Sequence, residues 1–161
     1  MNLTIYLPDE AASQQAAQRL AACFMATNAQ EPSPITLTFC GDIGAGKTTF
    51  IRALLRALGI SASIKSPTFS LVESYETPHL QIHHFDLYRI HEETELEYIG
   101  FRDYFAQYTL CCIEWPERAP DAIEQVDVAF TLTIKEVGRD MQLQAFTPFG
   151  VNLLTCFLGE S

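Results

Sequence analysis

The residue types best suited to chemistry in this sequence lie together in one short segment, residues 41–48. The segment reads Gly-Asp-Ile-Gly-Ala-Gly-Lys-Thr and matches the phosphate-binding loop pattern G-x-x-x-x-G-K-[ST] in full. Glycines allow a tight turn that brings backbone N–H groups against phosphate oxygens, Lys47 brings a positive charge to the outer phosphates, and the Thr48 hydroxyl is a hard oxygen ligand for Mg²⁺. The segment therefore predicts that the chain binds a nucleotide.

The segments on either side of this loop support the same interpretation. Apolar and polar residues alternate over residues 35–40, which predicts a strand, and apolar residues recur at helical spacing over residues 50–58, which predicts a helix. Gly59 is suited to end that helix. A strand, a glycine loop and a helix in this order place phosphates at a helix N-terminus, where free N–H groups and the helix dipole favour negative charge.

Two acidic residues at the ends of predicted strands are candidates for metal and water chemistry. The apolar run 110–113 predicts a buried strand that ends in Glu114, and Asp86 ends an earlier strand. A fold that hydrolyses nucleotides needs such acids to hold Mg²⁺ or to orient the attacking water. Together with Thr48, the two acids could complete a metal and water shell; the alternative is that each carboxylate only ends its strand.

A constrained loop and a pair of histidines are further candidates. Ser66 and Thr68 flank a proline one helix after the phosphate loop, where a switch segment would sense the γ-phosphate, and the alternative is an ordinary turn. We interpret His83 and His84 as one surface residue and one packing residue rather than as metal ligands.

Length and composition favour one domain with a real core. The chain has 161 residues, of which 48% are hydrophobic, so we expect a single globular domain over residues 1–161. We find no apolar run long enough to span a membrane and no signal peptide, and we therefore expect a cytoplasmic protein without a membrane partner. The five cysteines include no C-x-x-C pair, which predicts buried thiols rather than disulfides or a zinc site.

The net charge of the chain argues against direct binding to nucleic acid. Twenty acidic residues against ten lysines and arginines give a formal net charge of −10. A protein that binds a phosphodiester backbone by itself needs the opposite sign. Any contact with nucleic acid would therefore be indirect, through a partner that supplies the basic surface.

The remaining segments predict an α/β fold with a mixed sheet. Two hairpins interrupt the strand-and-helix pattern, so we expect a three-layer α/β/α domain like those of P-loop NTPases, with a partly antiparallel sheet. The predicted elements are a strand at 3–7, a helix from about residue 10 to 28, a linker at 29–34, a hairpin of 69–75 with 80–86, helices at 92–99 and 102–107, a hairpin of 127–134 with 141–146, and an apolar tail of undefined form at 151–158.

These motifs together resemble a known family. The segments 41–49, 65–69, 84–89 and 113–115, in this order and at these separations, are similar to the bacterial TsaE family, formerly YjeE. The similarity extends over about the whole chain, including residues 8–10 and 138–139. The resemblance implies an ATPase in the biosynthesis of threonylcarbamoyladenosine, which modifies the adenosine beside the anticodon of tRNAs that read codons beginning with A. It also implies TsaB and TsaD as partners, downstream of the synthase TsaC.

The resemblance also implies roles for particular residues. Residues 42–49 would bind the ATP phosphates, Thr48 and Glu114 would hold Mg²⁺, Trp115 would lie close to the nucleotide, and Glu10 would lie near the adenine. Either Asp86 or Glu114 could align the attacking water. The predicted site comprises Glu10, Asp42, Ile43, Gly44, Ala45, Gly46, Lys47, Thr48, Thr49, Asp86 and Glu114, with Lys47, Asp86 and Glu114 as its catalytic members.

Two alternatives and one expectation about rate remain from the sequence. A small-molecule kinase on the same fold would need a lid carrying several basic residues, which are scattered here, and a GTP switch would need N-K-x-D and D-x-x-G motifs, which we do not find. We expect slow ATP hydrolysis by the chain alone, because few cationic side chains besides Lys47 are available to neutralise the phosphates. We also expect Lys47 to face solvent in the empty loop.

Overall fold

The computed structural model describes residues 1–28 and 32–159, and within these residues it contains seven strands and four α-helices. The strands are β1 (Asn2–Leu7), β2 (Ile35–Cys40), β3 (Val72–Glu76), β4 (Gln81–Asp86), β5 (Thr109–Glu114), β6 (Val128–Ile134) and β7 (Arg139–Ala145). The helices are α1 (Glu10–Asn28), α2 (Lys47–Ala57), α3 (Glu95–Tyr98) and α4 (Pro148–Leu158), with short 3₁₀ segments at Phe101–Tyr104 and Pro116–Arg118.

All seven strands form one sheet in the order β1-β7-β6-β2-β5-β4-β3. Strand β2 is parallel to both β5 and β6, and β4 is parallel to β5. The β1–β7, β6–β7 and β3–β4 pairs are antiparallel, so the predicted mixed sheet and both predicted hairpins are confirmed. Because β2, β5 and β4 are parallel neighbours, the segments that follow them meet at one edge of the sheet.

Helices cover both faces of this sheet, which confirms the three-layer α/β/α arrangement. On one face α1, α2 and α4 enclose the larger core, in which the rings of Phe39 and Phe130 stack with centroids 4.6 Å apart. On the other face α3 and the 3₁₀ segments cover a smaller core around Phe85 and Phe101. Strand β5 contributes to both cores in alternation, which explains its uninterrupted apolar sequence.

Side-chain caps set the starts of α1 and α4. The Asp9 carboxylate accepts a hydrogen bond from the Ala12 N–H at 2.8 Å, as an N-cap side chain does. The Thr147 hydroxyl accepts from the Gly150 N–H at 3.1 Å. The tail of undefined form is therefore a capped helix, α4, whose apolar face packs on the larger core.

Several predicted boundaries are wrong. The strand expected from residue 69 begins at Val72, because Leu71 adopts a φ of 68° and its N–H closes a turn onto the Pro67 carbonyl at 2.8 Å. Phe69, the first residue of the predicted strand, lies outside β3 and is 83% exposed. The expected helices at 92–99 and 102–107 shorten to α3 and to a 3₁₀ segment. Of the expected linker, residues 29–31 lie outside the described part of the chain.

The expectation of thiols without a disulfide is wrong for one pair of cysteines. Cys23 of α1 and Cys156 of α4 form a disulfide, with their Cα atoms 5.7 Å apart. The pairing follows from the packing of α1 against α4, which brings together residues 133 positions apart. Cys111 and Cys112 are buried thiols as expected, and burial raises the pKa of Cys111 to about 12.

Within residues 1–28 and 32–159, no helix combines the length and the apolar character needed to cross a bilayer.

Candidate functional site

A cleft of about 460 Å³ lies at the sheet edge where β2, β4 and β5 end. Every residue of the predicted site lines it: Glu10, Asp42, Ile43, Gly44, Ala45, Gly46, Lys47, Thr48, Thr49, Asp86 and Glu114. The remaining lining residues are Ser13, Thr68, Tyr88, Trp115 and Arg139. The structure thus brings together, from four separate stretches of the chain, all the residues that were predicted from the sequence to form the site.

The glycines shape the loop between β2 and α2. Gly44 and Gly46 have φ values of 82° and 100°, a left-handed conformation that side chains with a Cβ rarely adopt. A Cβ on Gly41 would lie 2.6 Å from the Leu132 carbonyl oxygen of β6. No described side chain caps α2 at Gly46, so the first N–H groups of this helix remain available at the cleft. This geometry suits the binding of an anion.

Lys47 does not face solvent, which corrects the expectation from sequence. Its side chain is only 5% exposed, and Nζ donates to the carbonyl oxygens of Gly41 and Asp42, the latter at 3.3 Å. Nζ also lies 3.9 Å from the centroid of the Trp115 ring. Burial lowers the pKa of Lys47, and the nearby Glu114 carboxylate is the largest influence in the opposite direction.

A hydrogen-bonded chain joins the loop helix to two central strands. The Thr48 hydroxyl donates to Glu114 Oε1 at 2.7 Å, and Glu114 Oε2 lies 2.6 Å from His84 Nε2. His84 and Glu114 are 0% and 2% exposed. Both oxygens of the Glu114 carboxylate are therefore engaged, one toward the cleft and one toward the interior.

Asp86 forms a second acidic corner of the cleft. Its Oδ1 accepts from the Tyr88 N–H at 3.0 Å, and its Oδ2 accepts from the Thr68 hydroxyl at 3.3 Å. Thr68 in turn lies 2.8 Å from the Ser66 hydroxyl. Burial raises the pKa of Asp86, while the hydrogen bond from Tyr88 acts in the opposite direction. The predicted switch segment thus contacts the acid directly.

An aromatic wall stands beside the lysine. Trp115 has a φ of 57°, which is unusual for a bulky residue, and it directly follows Glu114. Its ring lies 4.9 Å from the Tyr88 ring, centroid to centroid. The turn at Trp115 therefore aims the indole into the cleft, next to the end of the Lys47 side chain.

Sequence reasoning missed one basic residue of the cleft, Arg139. Its Nη1 donates to the Ala45 carbonyl, and its guanidinium lies where a Cβ on Gly46 would stand. Arg139 is the first residue of β7, which returns antiparallel to β6 and therefore begins at the edge where β6 ends. That topology is the signal that could have placed it. By contrast, Arg89 lies over the exposed Phe69 ring, 4.3 Å from its centroid.

The cleft has two chemically different ends. Strands β7 and β4 lie on opposite sides of β2 in the sheet, so Arg139 marks one end and Asp86 marks the other. Glu10 belongs to the Arg139 end, because Leu7 of β1 pairs with Arg139 and α1 begins just beyond it. A nucleotide in the cleft would therefore meet two carboxylates at one end and a mixed pair at the other.

The oxygen donors at the cleft are suited to Mg²⁺ that is bound together with substrate phosphates, rather than to a metal ion that only protein side chains hold. In the described residues, no group of three or more His, Cys, Asp or Glu side chains is arranged to hold a metal ion. Mg²⁺ commonly uses one or two carboxylates together with water and substrate phosphates. The adjacent Thr48 hydroxyl and Glu114 carboxylate are such a donor set.

The histidines differ from their sequence interpretation. His83 is 7% exposed rather than a surface residue, and its Nδ1 lies 2.7 Å from the Ser74 hydroxyl. His84 is fully buried, as a packing residue would be, but it also contacts Glu114. The two side chains point to opposite faces of β4, because side chains alternate along a strand.

Comparisons with known proteins agree with the geometry. Residues 7–142 match the family model described as Threonylcarbamoyl adenosine biosynthesis protein TsaE. A Haemophilus influenzae protein named tRNA threonylcarbamoyladenosine biosynthesis protein TsaE is 35% identical over 156 residues, which cover 97% of this chain and 98% of the relative. A Bacillus subtilis protein of the same name is 35% identical over 114 residues, covering 71% and 70%.

A solved structure has the same fold. The crystal structure of YdiB from Bacillus subtilis superimposes with a TM-score of 0.79 at 22% identity, covering 99% of this chain and 95% of that one.

Proposed function

Because the chain belongs to the TsaE family, we propose that it is the ATP-hydrolysing subunit required for threonylcarbamoyladenosine modification of the tRNA adenosine beside the anticodon, acting with TsaB and TsaD. The observation that carries this proposal is the convergence of a complete phosphate-binding loop, Thr48, Glu114 and Asp86 in one cleft. The transfer reaction itself belongs to TsaD in this proposal, and hydrolysis resets the complex.

ATP lies along the loop with its triphosphate toward Asp86 and its nucleoside toward Glu10. The direction follows from the two ends of the cleft, because the acids that handle metal and water lie beyond Thr48 and the start of α1 lies at the other end. Lys47 leaves the carbonyls of Gly41 and Asp42 for the outer phosphates. Those phosphates replace the carbonyl oxygens as partners of its ammonium group.

Thr48 and Glu114 are the residues that would hold Mg²⁺. When bound, this ion neutralises charge on the phosphates as the γ-phosphoryl group is transferred. Glu114 turns Oε1 toward Thr48, which presents its hydroxyl from the first turn of α2.

Asp86 orients the attacking water in this proposal. It lies beside the γ-phosphate end, it is only 6% exposed, and its raised pKa brings it closer to the working pH of a general base. Glu114 is less suited to that role, because both of its oxygens already have partners. Thr68 connects Asp86 to the exposed loop around Ser66, because its hydroxyl contacts both the Asp86 carboxylate and the Ser66 hydroxyl.

The partners complete a site that is only partly cationic. Among the described residues that line the cleft, Lys47 and Arg139 carry the cationic side chains. Rapid phosphoryl transfer usually requires more positive charge around the transferring group. Because this chain has a net charge of −10, the surface that binds tRNA must also lie on TsaB or TsaD.

Phosphate release from ATP tests the proposal, measured for this chain with and without TsaB and TsaD. We expect slow Mg²⁺-dependent release by the chain alone and a large increase when both partners are added. Lys47→Ala should abolish the release in both conditions. Lys135→Ala is the matched control, because Lys135 lies outside the cleft and pairs with Asp140 at 3.3 Å. Parental activity in Lys47→Ala would refute the assignment.

A further inference from the structure

His84 occupies a position from which it can reach Glu114 without entering the cleft. In the parallel β4–β5 pair, His84 is in register with Cys112, and Asp86 is in register with Glu114. Residues two apart on a strand share a face, so His84 and Glu114 are diagonal neighbours on the face that α2 covers. His84 is fully buried and does not line the cleft.

The contact between these two residues is short and directional. Nε2 of His84 lies 2.6 Å from Oε2 of Glu114, and the other carboxylate oxygen accepts from Thr48 at 2.7 Å. Without the imidazole, Oε2 would be a buried carboxylate oxygen with no hydrogen-bond donor in the described residues. The carboxylate would then be held through one oxygen instead of two, so its orientation toward Thr48 would no longer be fixed from the interior.

The other ring nitrogen indicates which tautomer is present. Nδ1 of His84 is buried and has no hydrogen-bond partner among the described residues. A proton on Nε2 donates to Glu114 and leaves only a lone pair at Nδ1, whereas a proton on Nδ1 would leave a buried donor unsatisfied. The ring is therefore arranged as a donor to the carboxylate.

We infer that His84 is a positioning residue that holds the Glu114 carboxylate in the orientation needed to share Mg²⁺ with Thr48. This inference rests on the proposed function of the cleft as a Mg-ATP site. Hydrogen bonds from outside the first ligand shell commonly set ligand orientation, and their loss weakens metal affinity by about 10- to 100-fold. A residue that only filled space at position 84 would be replaceable by an apolar side chain without this effect.

Four variants test the inference. His84→Leu removes the donor, His84→Gln places an amide nitrogen near the position of Nε2, and His84→Asn places its amide nitrogen near Nδ1 instead. His83→Leu is the matched control, because it removes the neighbouring buried histidine, which lies on the opposite face of β4.

The measurement is nucleotide affinity by calorimetry, first in EDTA and then at a series of Mg²⁺ concentrations. We expect His84→Leu to raise the Mg²⁺ concentration needed for half-maximal tightening by about 10- to 100-fold, with little change in EDTA. His84→Gln and His83→Leu should stay close to the parental protein. An unchanged Mg²⁺ requirement in His84→Leu, or the same increase in His83→Leu, would overturn the inference.

If His84→Leu does not fold, the comparison of Gln with Asn decides. A low Mg²⁺ requirement in His84→Gln with a raised one in His84→Asn supports the inference, and equal requirements in the two variants overturn it. The proposed function fails separately, when the parental chain with its partners releases no phosphate from ATP. The calorimetric comparison remains interpretable in that case, because it does not depend on turnover.

Discussion

The Thr48 hydroxyl donates to Glu114 Oε1 at 2.7 Å, although the two residues are 66 positions apart in the chain. The contact exists because β2 and β5 are parallel neighbours with Phe39 in register with Glu114, so the loop after β2 turns back over the end of β5. One bond thereby joins the phosphate-binding helix to the central strand that supplies an acid. A metal ion placed between these two oxygens would be bound by both elements at once.

Asp86→Asn should lower ATP hydrolysis by about 10²- to 10⁴-fold, because an amide cannot accept the proton of the attacking water. Nucleotide affinity should change little, since Asn keeps an oxygen for the Tyr88 N–H and can pair with Thr68. Phosphate release and calorimetry on the same samples check this. Loss of affinity equal to the loss of rate would argue that Asp86 binds nucleotide instead.

The same substitution should stabilise the protein near neutral pH. Burial raises the pKa of Asp86 in the folded state, so the folded protein favours its protonated form more than the unfolded chain does. The associated stability is present below the ordinary aspartate pKa and is lost as the pH rises through the folded-state pKa. Asp86→Asn should therefore melt higher than the parental chain at pH 7, and the difference should vanish at about pH 3. A difference that grows on acidification would contradict this sign.

Nucleotide binding should change the emission of Trp115, the only tryptophan. In the structure the Lys47 ammonium lies 3.9 Å from the centroid of the indole ring, and this contact should be lost when Lys47 moves to the phosphates. Fluorescence titration with ADP and with Mg-ATP checks the prediction. No change at saturation, with binding confirmed by calorimetry, would place the indole away from the nucleotide.

Arg139→Ala should weaken ATP binding by about 10-fold, because Arg139 lines the cleft and its guanidinium could donate a charged hydrogen bond to the nucleotide, and such bonds contribute about 1.5 kcal/mol or more. Arg52→Ala is the matched control, since Arg52 is exposed on α2 and does not line the cleft. Equal affinities for the two variants would show that Arg139 only supports the loop backbone.

Reduction of the Cys23–Cys156 disulfide should lower the free energy of unfolding by up to about 5 kcal/mol, because the bridge closes a long loop in the unfolded chain. Denaturant melts with and without a thiol reductant check this. Cys156→Ser should be insensitive to reductant, whereas Cys40→Ser should remain sensitive because Cys40 is a free thiol. Identical parental melts in both conditions would contradict the prediction.

The core of the site could be predicted from sequence because it depends on local patterns and on one rule of topology. The phosphate-binding loop is recognised from its residue pattern alone. The carboxyl ends of parallel strands meet at one edge of the sheet, so Asp86 and Glu114 were expected near Thr48. Both acids line the cleft with it. The hairpins and the mixed sheet could be predicted in the same way from alternation and turns.

The rest depends on packing between distant segments. Arg139 reaches the loop because β7 returns beside β6, and Lys47 is buried in part against the ring of Trp115, which adopts a left-handed turn. The Cys23–Cys156 pair requires α1 and α4 to pack together. No pattern within one segment carries these relationships, so sequence reasoning left Arg139 unassigned and expected an exposed Lys47.

Threonylcarbamoyladenosine formation on tRNA is the direct measure of the proposed function. TsaB and TsaD are supplied at a small fraction of the tRNA concentration, with threonylcarbamoyl-adenylate and Mg-ATP, and the modified nucleoside is quantified by mass spectrometry. With the parental chain we expect many modified tRNAs per TsaD molecule, and with Lys47→Ala no more than about one, because in the proposed function hydrolysis resets the complex. Equal yields with the parental chain, with Lys47→Ala and with no added chain would contradict the proposed function.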